Sequence, residues 1–120
     1  MVGVRNRALG PSATSLIEDR GNAVYVSSAP LWELAIEYRL GKVPLPMTPR
    51  RYAATRIEDA GFAALPISTV HGAEVGALPD IHRDPFDRLS VAQAMLENLT
   101  PITAARPLER YPIATFRATE

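Results

Sequence analysis

The sequence predicts an α/β layered domain with a mainly parallel central sheet flanked by helices. Three observations carry that prediction. The chain has 120 residues and is 47% apolar, enough for one hydrophobic core and too short for two domains. Short runs rich in β-branched and aromatic residues alternate with segments of helical spacing. Eleven prolines and seven glycines cut the chain into short elements, which excludes one long bundle. No internal repeat or low-complexity run is present.

Residues 11–19 read as a helix with Ala13, Leu16 and Ile17 on one side. Pro11 suits the first turn, where its missing N–H costs nothing, and Gly21-Asn22 ends the segment. Residues 23–27 are apolar on both faces, as an inner strand of a parallel sheet is. Ser27 or Ser28 can cap the next helix, with Pro30 in its first turn. That helix covers 31–40 and stops at Gly41. Residues 42–49 hold three prolines and read as an extended loop.

A helix follows over 51–60, ending at Gly61, and then a strand within 62–67. Pro66 places that strand near a sheet edge. Residues 68–78 suit a short helix started by Ser68 or Thr69. Asp84-Pro85-Phe86-Asp87 is a strong helix start: an Asp cap, Pro in the first turn, and an acid three residues after the cap. Phe86, Leu89, Ala92, Leu96 and Leu99 keep helical spacing behind it. Ile102-Thr103 suggests a brief strand, 108–111 a helical turn, and 113–116 a last strand. Sites in parallel sheets form at the carboxyl ends of strands. Here those ends are Ser27-Ser28, the loop after Ile67, and Thr103-Ala104-Ala105.

Composition removes several function classes. There is no cysteine, so disulfide frameworks, thiol catalysis and thiolate zinc sites are out. The two histidines, His71 and His82, rule out a three-histidine metal site. Thirteen basic and thirteen acidic side chains cancel, which argues against non-specific coating of nucleic acid. Uncharged stretches such as 61–73 fall short of the roughly 18 residues of a membrane span. Residues 1–7 lack an apolar signal core. A soluble cytoplasmic domain is the expectation.

Glu33 has two readings. It is a first-turn glutamate that favours the helix dipole. It is also an acid sharing a flank with Ile36 and Leu40 just after a strand end, where it is costly unless paired, protonated or metal-bound. Residues 80–88 concentrate three carboxylates, one imidazole and two guanidinium groups. Clustered carboxylates repel and gain from a hard divalent cation. They also read as a capping box, and both hold if Asp84 caps while Asp87 faces a site. His82 reads as a solvated loop histidine with no nucleophile beside it, and His71 as a surface or boundary residue. Trp32 and Phe86 suit core or interface anchors. Arg50, Arg51 and Arg56 suit either phosphate contacts or a solvated helix face. No glycine-rich phosphate loop and no zinc motif occurs.

Together, several stretches resemble the VapC-type toxins of the PIN-domain family. They are Leu16-Ile17-Glu18-Asp19, Val24-Tyr25-Val26-Ser27, Leu31-Trp32-Glu33-Leu34-Ala35-Ile36, Leu40-Gly41-Lys42 with Pro44-Leu45-Pro46, His82-Arg83-Asp84-Pro85-Phe86-Asp87-Arg88-Leu89, and Val91-Ala92-Gln93-Ala94. The resemblance runs from about Ala8 to Phe116, so residues 1–120 are expected to form one PIN-like domain with a three-layer architecture. It implies a metal-dependent endoribonuclease, the toxin of a toxin–antitoxin pair. Such proteins are typically homodimers silenced by a small VapB-like antitoxin. It implies Mg²⁺ or Mn²⁺ as cofactor and RNA as substrate. It assigns Glu33 and Asp87 to the metal, Asp84 as their catalytic companion, and Ser27 and Thr103 as supporting polar residues.

Two departures accompany the resemblance. The family's first strand ends in Asp-Thr-His or a close variant, whereas Leu9-Gly10-Pro11 already matches the loop beyond it. The first strand and first acid are therefore expected to be missing, leaving an exposed sheet edge. The family's Thr-Ala-Asp reads here Thr103-Ala104-Ala105, so a methyl group replaces the fourth acid, and Pro101 stands in the strand leading there. The primary expectation is a nuclease impaired by these losses. The alternative is an inactive PIN-like module that dimerises or engages an antitoxin.

Overall fold

The structure is a computed structural model, described here for residues 9–120. It opens with α1 (Pro11–Glu18), β1 (Tyr25–Ser27) and α2 (Ser28–Arg39). After the proline-rich loop comes α3 (Pro49–Ala53), continued by a π-helical turn over Ala54–Glu58. Then follow β2 (Ala63–Leu65), α4 (Thr69–Val75), α5 (Pro85–Glu97), β3 (Ile102–Thr103), a 3₁₀ turn (Arg106–Arg110) and β4 (Phe116–Arg117). This is an α/β PIN-like fold with parallel strand pairing. β1 runs parallel to β2 in the register Tyr25↔Ala63, Val26↔Ala64, Ser27↔Leu65. β3 runs parallel to β4 with Ile102↔Phe116 and Thr103↔Arg117. Among the described residues the strands form these two pairs. The expected loss of a first strand concerns the chain before Leu9 and lies outside the described residues.

Helix starts follow the capping signals. Ser27 caps α2, accepting from the Ala29 N–H at 3.1 Å. Thr48 caps α3, with Pro49 in the first turn, so this helix begins two residues before the sequence suggests. Gly61, at φ +77°, turns the chain out of the π-helical segment, and the Phe62 N–H closes it on the Ile57 carbonyl at 3.0 Å. The wide turn has no sequence signal that we recognise. Ser68 caps α4 in a capping box whose reciprocal partner is His71. Asp84 caps α5, and Asn98 ends it in the left-handed region at φ 55°.

α5 is the central helix and departs most from its predicted face. Ser90, Val91, Ala92, Gln93 and Ala94 are buried in succession, whereas Leu96 is exposed. A one-sided stripe was the wrong template, because α5 packs against both α2 and α4. Its middle is therefore covered all round and needs small residues. Leu78, Val91, Ala92, Leu108 and Tyr111 form one core cluster, with Val75, Ile81, Ala105 and Ile113 packed against it. Leu16, expected on the buried side of α1, is exposed, while Ala13 is fully buried. Among the described residues no helix is long and apolar enough to cross a membrane.

Candidate metal centre

The site is built at the start of α5. Asp84 Oδ1 accepts the Phe86 N–H at 2.9 Å and the Asp87 N–H at 3.3 Å, satisfying two of the helix's orphan donors. This cap fixes the first turn, and the first turn aims Asp87. Asp87 Oδ2 lies 2.9 Å from His82 Nε2, and both side chains are roughly a quarter exposed, at 29% and 26%. One ligand atom each from His82, Asp84 and Asp87 falls within 4.8 Å of the others. Asp84 thus caps the helix as the sequence suggests, and Asp87 lies in a cluster with Asp84 and His82.

His82 is not the solvated loop histidine expected. Its backbone N–H donates to the Tyr111 hydroxyl at 3.1 Å, and Tyr111 is buried. Its carbonyl accepts from Arg88 Nη1 at 3.4 Å. Arg88 also donates to the carbonyls of Val75 at 2.8 Å, Pro79 at 3.0 Å and Leu78 at 3.4 Å, and to the Tyr111 hydroxyl at 3.3 Å. One guanidinium fork thus fastens the whole 75–82 loop to α5. Sequence reasoning missed Arg88 and Tyr111 in this role. The signal available was the adjacency of Arg88 to Asp87, but nothing local tells that its partners are carbonyls.

α2 carries Glu33. Trp32 packs edge-to-face on Phe86, with ring centroids 5.1 Å apart at 88°. Each ring belongs to the residue just before a predicted site acid, so the contact holds the Glu33 and Asp87 neighbourhoods together. Glu33 is half-buried and is not one of the three cluster members. Ile36 and Leu40, predicted to share its apolar flank, are exposed at 40% and 61%.

Ser27 is fully buried at the end of β1. Its hydroxyl donates to Gln93 Oε1 and accepts the Ala29 N–H, so it supports α2 from beneath and does not line an open site. Gln93 Nε2 donates in turn to the carbonyls of Leu65 at 3.3 Å and Pro66 at 3.2 Å. Gln93 therefore ties α5 to the carboxyl ends of β1 and β2. His71, expected at the surface, is buried. Its Nδ1 accepts the Ser68 N–H at 3.0 Å, which leaves the proton on Nε2 to donate to Glu97 Oε1 at 2.9 Å. It is a structural histidine.

Thr103 ends β3, and its Oγ1 accepts the Ala105 N–H at 3.0 Å. The Ala105 side chain packs against the Leu78–Tyr111 core cluster. Ala105→Asp is therefore expected to lower stability by about 1–3 kcal/mol in metal-free buffer, as an unpaired carboxylate meets apolar neighbours. Thermal unfolding checks this. An unchanged midpoint would show that the new side chain turns away from the core.

A cavity of about 490 Å³ adjoins the cluster, lined by Asp80, Ile81, His82, Arg83 and Arg88. Arg83 is exposed there, while Arg88 is committed to the loop carbonyls. Arg56 sits over the Tyr52 ring at 5.9 Å, a local contact on its own helix. Two carboxylates and an imidazole, half-buried and converging, match the hard-oxygen and borderline-nitrogen donors that a divalent cation takes.

Fold and cluster together define a class, and comparison with known families names it. The PIN domain family model matches residues 3–113, and the chain belongs to that family. Ribonuclease VapC16 of Mycobacterium tuberculosis (strain ATCC 25618 / H37Rv) is 36% identical over 59 residues. That match covers 49% of this chain and 42% of the relative, so it spans less than half of the relative's length.

Proposed function

We propose that this chain is a VapC-type endoribonuclease that depends on Mg²⁺ or Mn²⁺ and acts as the toxin of a toxin–antitoxin pair. The observation that carries the reading is the convergence of Asp84 and Asp87 at the start of α5, where Phe86 also meets Trp32 of α2, the helix that carries Glu33. Glu33 and Asp87 would hold the metal. Asp84 would support them while capping the helix. Ser27 would act through α2, and Thr103 from the end of β3. When bound, the metal would supply a Lewis acid and an activated water for hydrolysis of an RNA phosphodiester. The chain's own residues do the positioning. The Asp84 cap orients Asp87, His82 fixes the Asp87 carboxylate, and exposed Arg83 offers a phosphate contact at the cavity mouth. Ala105, where the resemblance places an acid, would leave the centre impaired. The reading includes one domain over residues 1–120, cytoplasmic localisation, a homodimer and a VapB-like antitoxin.

A second reading has support in the structure. Trp32, Ile36 and Leu40 make an apolar stripe on α2, exposed at 54%, 40% and 61%. Such a stripe suits a helical partner or a second copy, and would serve an inactive binding module equally well.

The test is RNA cleavage with Mn²⁺ by the chain, Glu33→Gln and Asp87→Asn, beside a calorimetric Mn²⁺ titration. Each substitution is expected to cut metal-dependent cleavage by about 100-fold, the scale of a misplaced reacting group. Cleavage unchanged in both variants would remove the assignment. A chain that never cleaves yet binds a partner would favour the binding module.

A further inference from the structure

We infer that His82 is an inner-sphere nitrogen ligand of this centre, which makes it a mixed histidine–carboxylate site selective for Mn²⁺ over Mg²⁺. The inference rests on the proposed metal centre and deepens it. Three observations on the chain's own residues lead there.

The first is spacing. With metal–ligand bonds of about 2.1 Å, neighbouring ligands on an octahedron lie about 3 Å apart. His82 Nε2 and Asp87 Oδ2 are 2.9 Å apart, and Asp84 brings an oxygen within 4.8 Å of both. The pair needs little movement to share an ion, provided the Nε2 proton that is donated to Asp87 passes to Nδ1 or to solvent as the metal binds. The second is restraint. His82 is held by its N–H on Tyr111, its carbonyl on Arg88 and its ring on Asp87. A loop residue fixed at three points is pre-organised, as a ligand must be. The third is the remaining donor set. Both cap bonds to Asp84 go to Oδ1, so capping occupies one of its two carboxylate oxygens. Where the resemblance expects a further acid, Ala105 packs into the core. An imidazole then supplies a donor that the carboxylates do not.

The consequence is chemical. Mg²⁺ demands oxygen ligands and keeps several waters, whereas Mn²⁺, although it too suits oxygen ligands, is a transition ion that takes an imidazole nitrogen more readily than Mg²⁺ does. Loss of His82 should weaken Mn²⁺ binding by about tenfold or more. It should change Mg²⁺ binding less. Affinity alone does not separate a ligand from a residue that only steadies Asp87, since outer partners have effects of that size too. A spectroscopic readout does.

The experiment is pulsed electron paramagnetic resonance on the Mn²⁺-loaded chain, reading imidazole nitrogen coupling, with Mn²⁺ and Mg²⁺ titrations alongside. The expected result is a nitrogen coupling in the unaltered chain that disappears in His82→Ala. His71 is the one other histidine, and it is buried against Ser68 and Glu97. A coupling that survives His82→Ala would overturn the inference. So would saturable Mn²⁺ binding that needs Asp87 but shows no nitrogen coupling, and this outcome leaves the nuclease reading intact. Nitrogen coupling without metal-dependent RNA cleavage would do the reverse, upholding the ligand and overturning the nuclease. No Mn²⁺ binding at all would overturn both. The first measurement uses the unaltered protein, so misfolding of a variant does not decide it.

Discussion

Arg88→Met is expected to lower stability by about 2–3 kcal/mol and to loosen the site without touching any acid. The substitution keeps an apolar stem of similar length and removes the guanidinium fork. Four carbonyls then lose a charged donor: Val75, Leu78, Pro79 and His82. Val75 and Pro79 retain one backbone donor each, from Leu78 and Ile81. The cost therefore falls mainly on Leu78 and His82, at about 1–3 kcal/mol for each group left without its partner and reduced where water reaches it. Tyr111 loses one of its two partners as well. Urea denaturation measures the stability, and hydrogen exchange of the His82 amide measures the loop. Exchange there should quicken, because that N–H is held by the Tyr111 hydroxyl which Arg88 helps to fix. A denaturation midpoint unchanged, with the amide equally protected, would show that the fork is a surface ornament.

The same residue shows what could and could not be read from the chain. The start of α5 was legible because its signal is local: Asp84 accepts two backbone N–H groups of the first turn and Pro85 has none to satisfy, whatever the rest of the fold does. Caps at Ser27 or Ser28 and at Ser68 or Thr69 were legible for the same reason, and the structure selects Ser27 and Ser68. Strands within 23–27 and 62–67 of a parallel sheet were legible from their apolar runs, but that Tyr25–Ser27 pairs with Ala63–Leu65 was not. The role of His82 was not legible, since it depends on Tyr111, twenty-nine residues further on. The buried face of α5 was misjudged because periodicity reports one neighbour, whereas this helix has α2 and α4. Gln93 in the run Val91-Ala92-Gln93-Ala94 was the one available hint, a polar residue amid small apolar ones. Its partners, Ser27 and the carbonyls after β2, lie far away in sequence and could not be deduced from it.

Gln93→Leu tests that long-range knot and should cost about 2–4 kcal/mol, although leucine is close in size and more apolar. Gln93 is fully buried, so leucine there gains apolar burial, which offsets part of the cost. Its loss is specific. The Ser27 hydroxyl proton has no acceptor left, and the Leu65 and Pro66 carbonyls lose their side-chain donor. A buried polar group left unpaired costs about 1–3 kcal/mol, more than a made hydrogen bond contributes. That asymmetry gives the prediction its sharpest form. Ser27→Ala alone should cost about 1 kcal/mol for the lost cap of α2 and about 1–3 kcal/mol more for Gln93 Oε1 left without its donor. The double variant Ser27→Ala with Gln93→Leu should then be less destabilised than the two single costs added, because the stranded hydroxyl is gone. A cycle by chemical denaturation reads this directly, and strict additivity would show that the two side chains do not act as a unit. The functional corollary follows from geometry. Ser27 seats α2, which carries Glu33, and Gln93 belongs to α5, which carries Asp87. Both acids are referred to the same strand end through one buried hydrogen bond, so loosening that bond should weaken Mn²⁺ binding even though neither partner touches the metal.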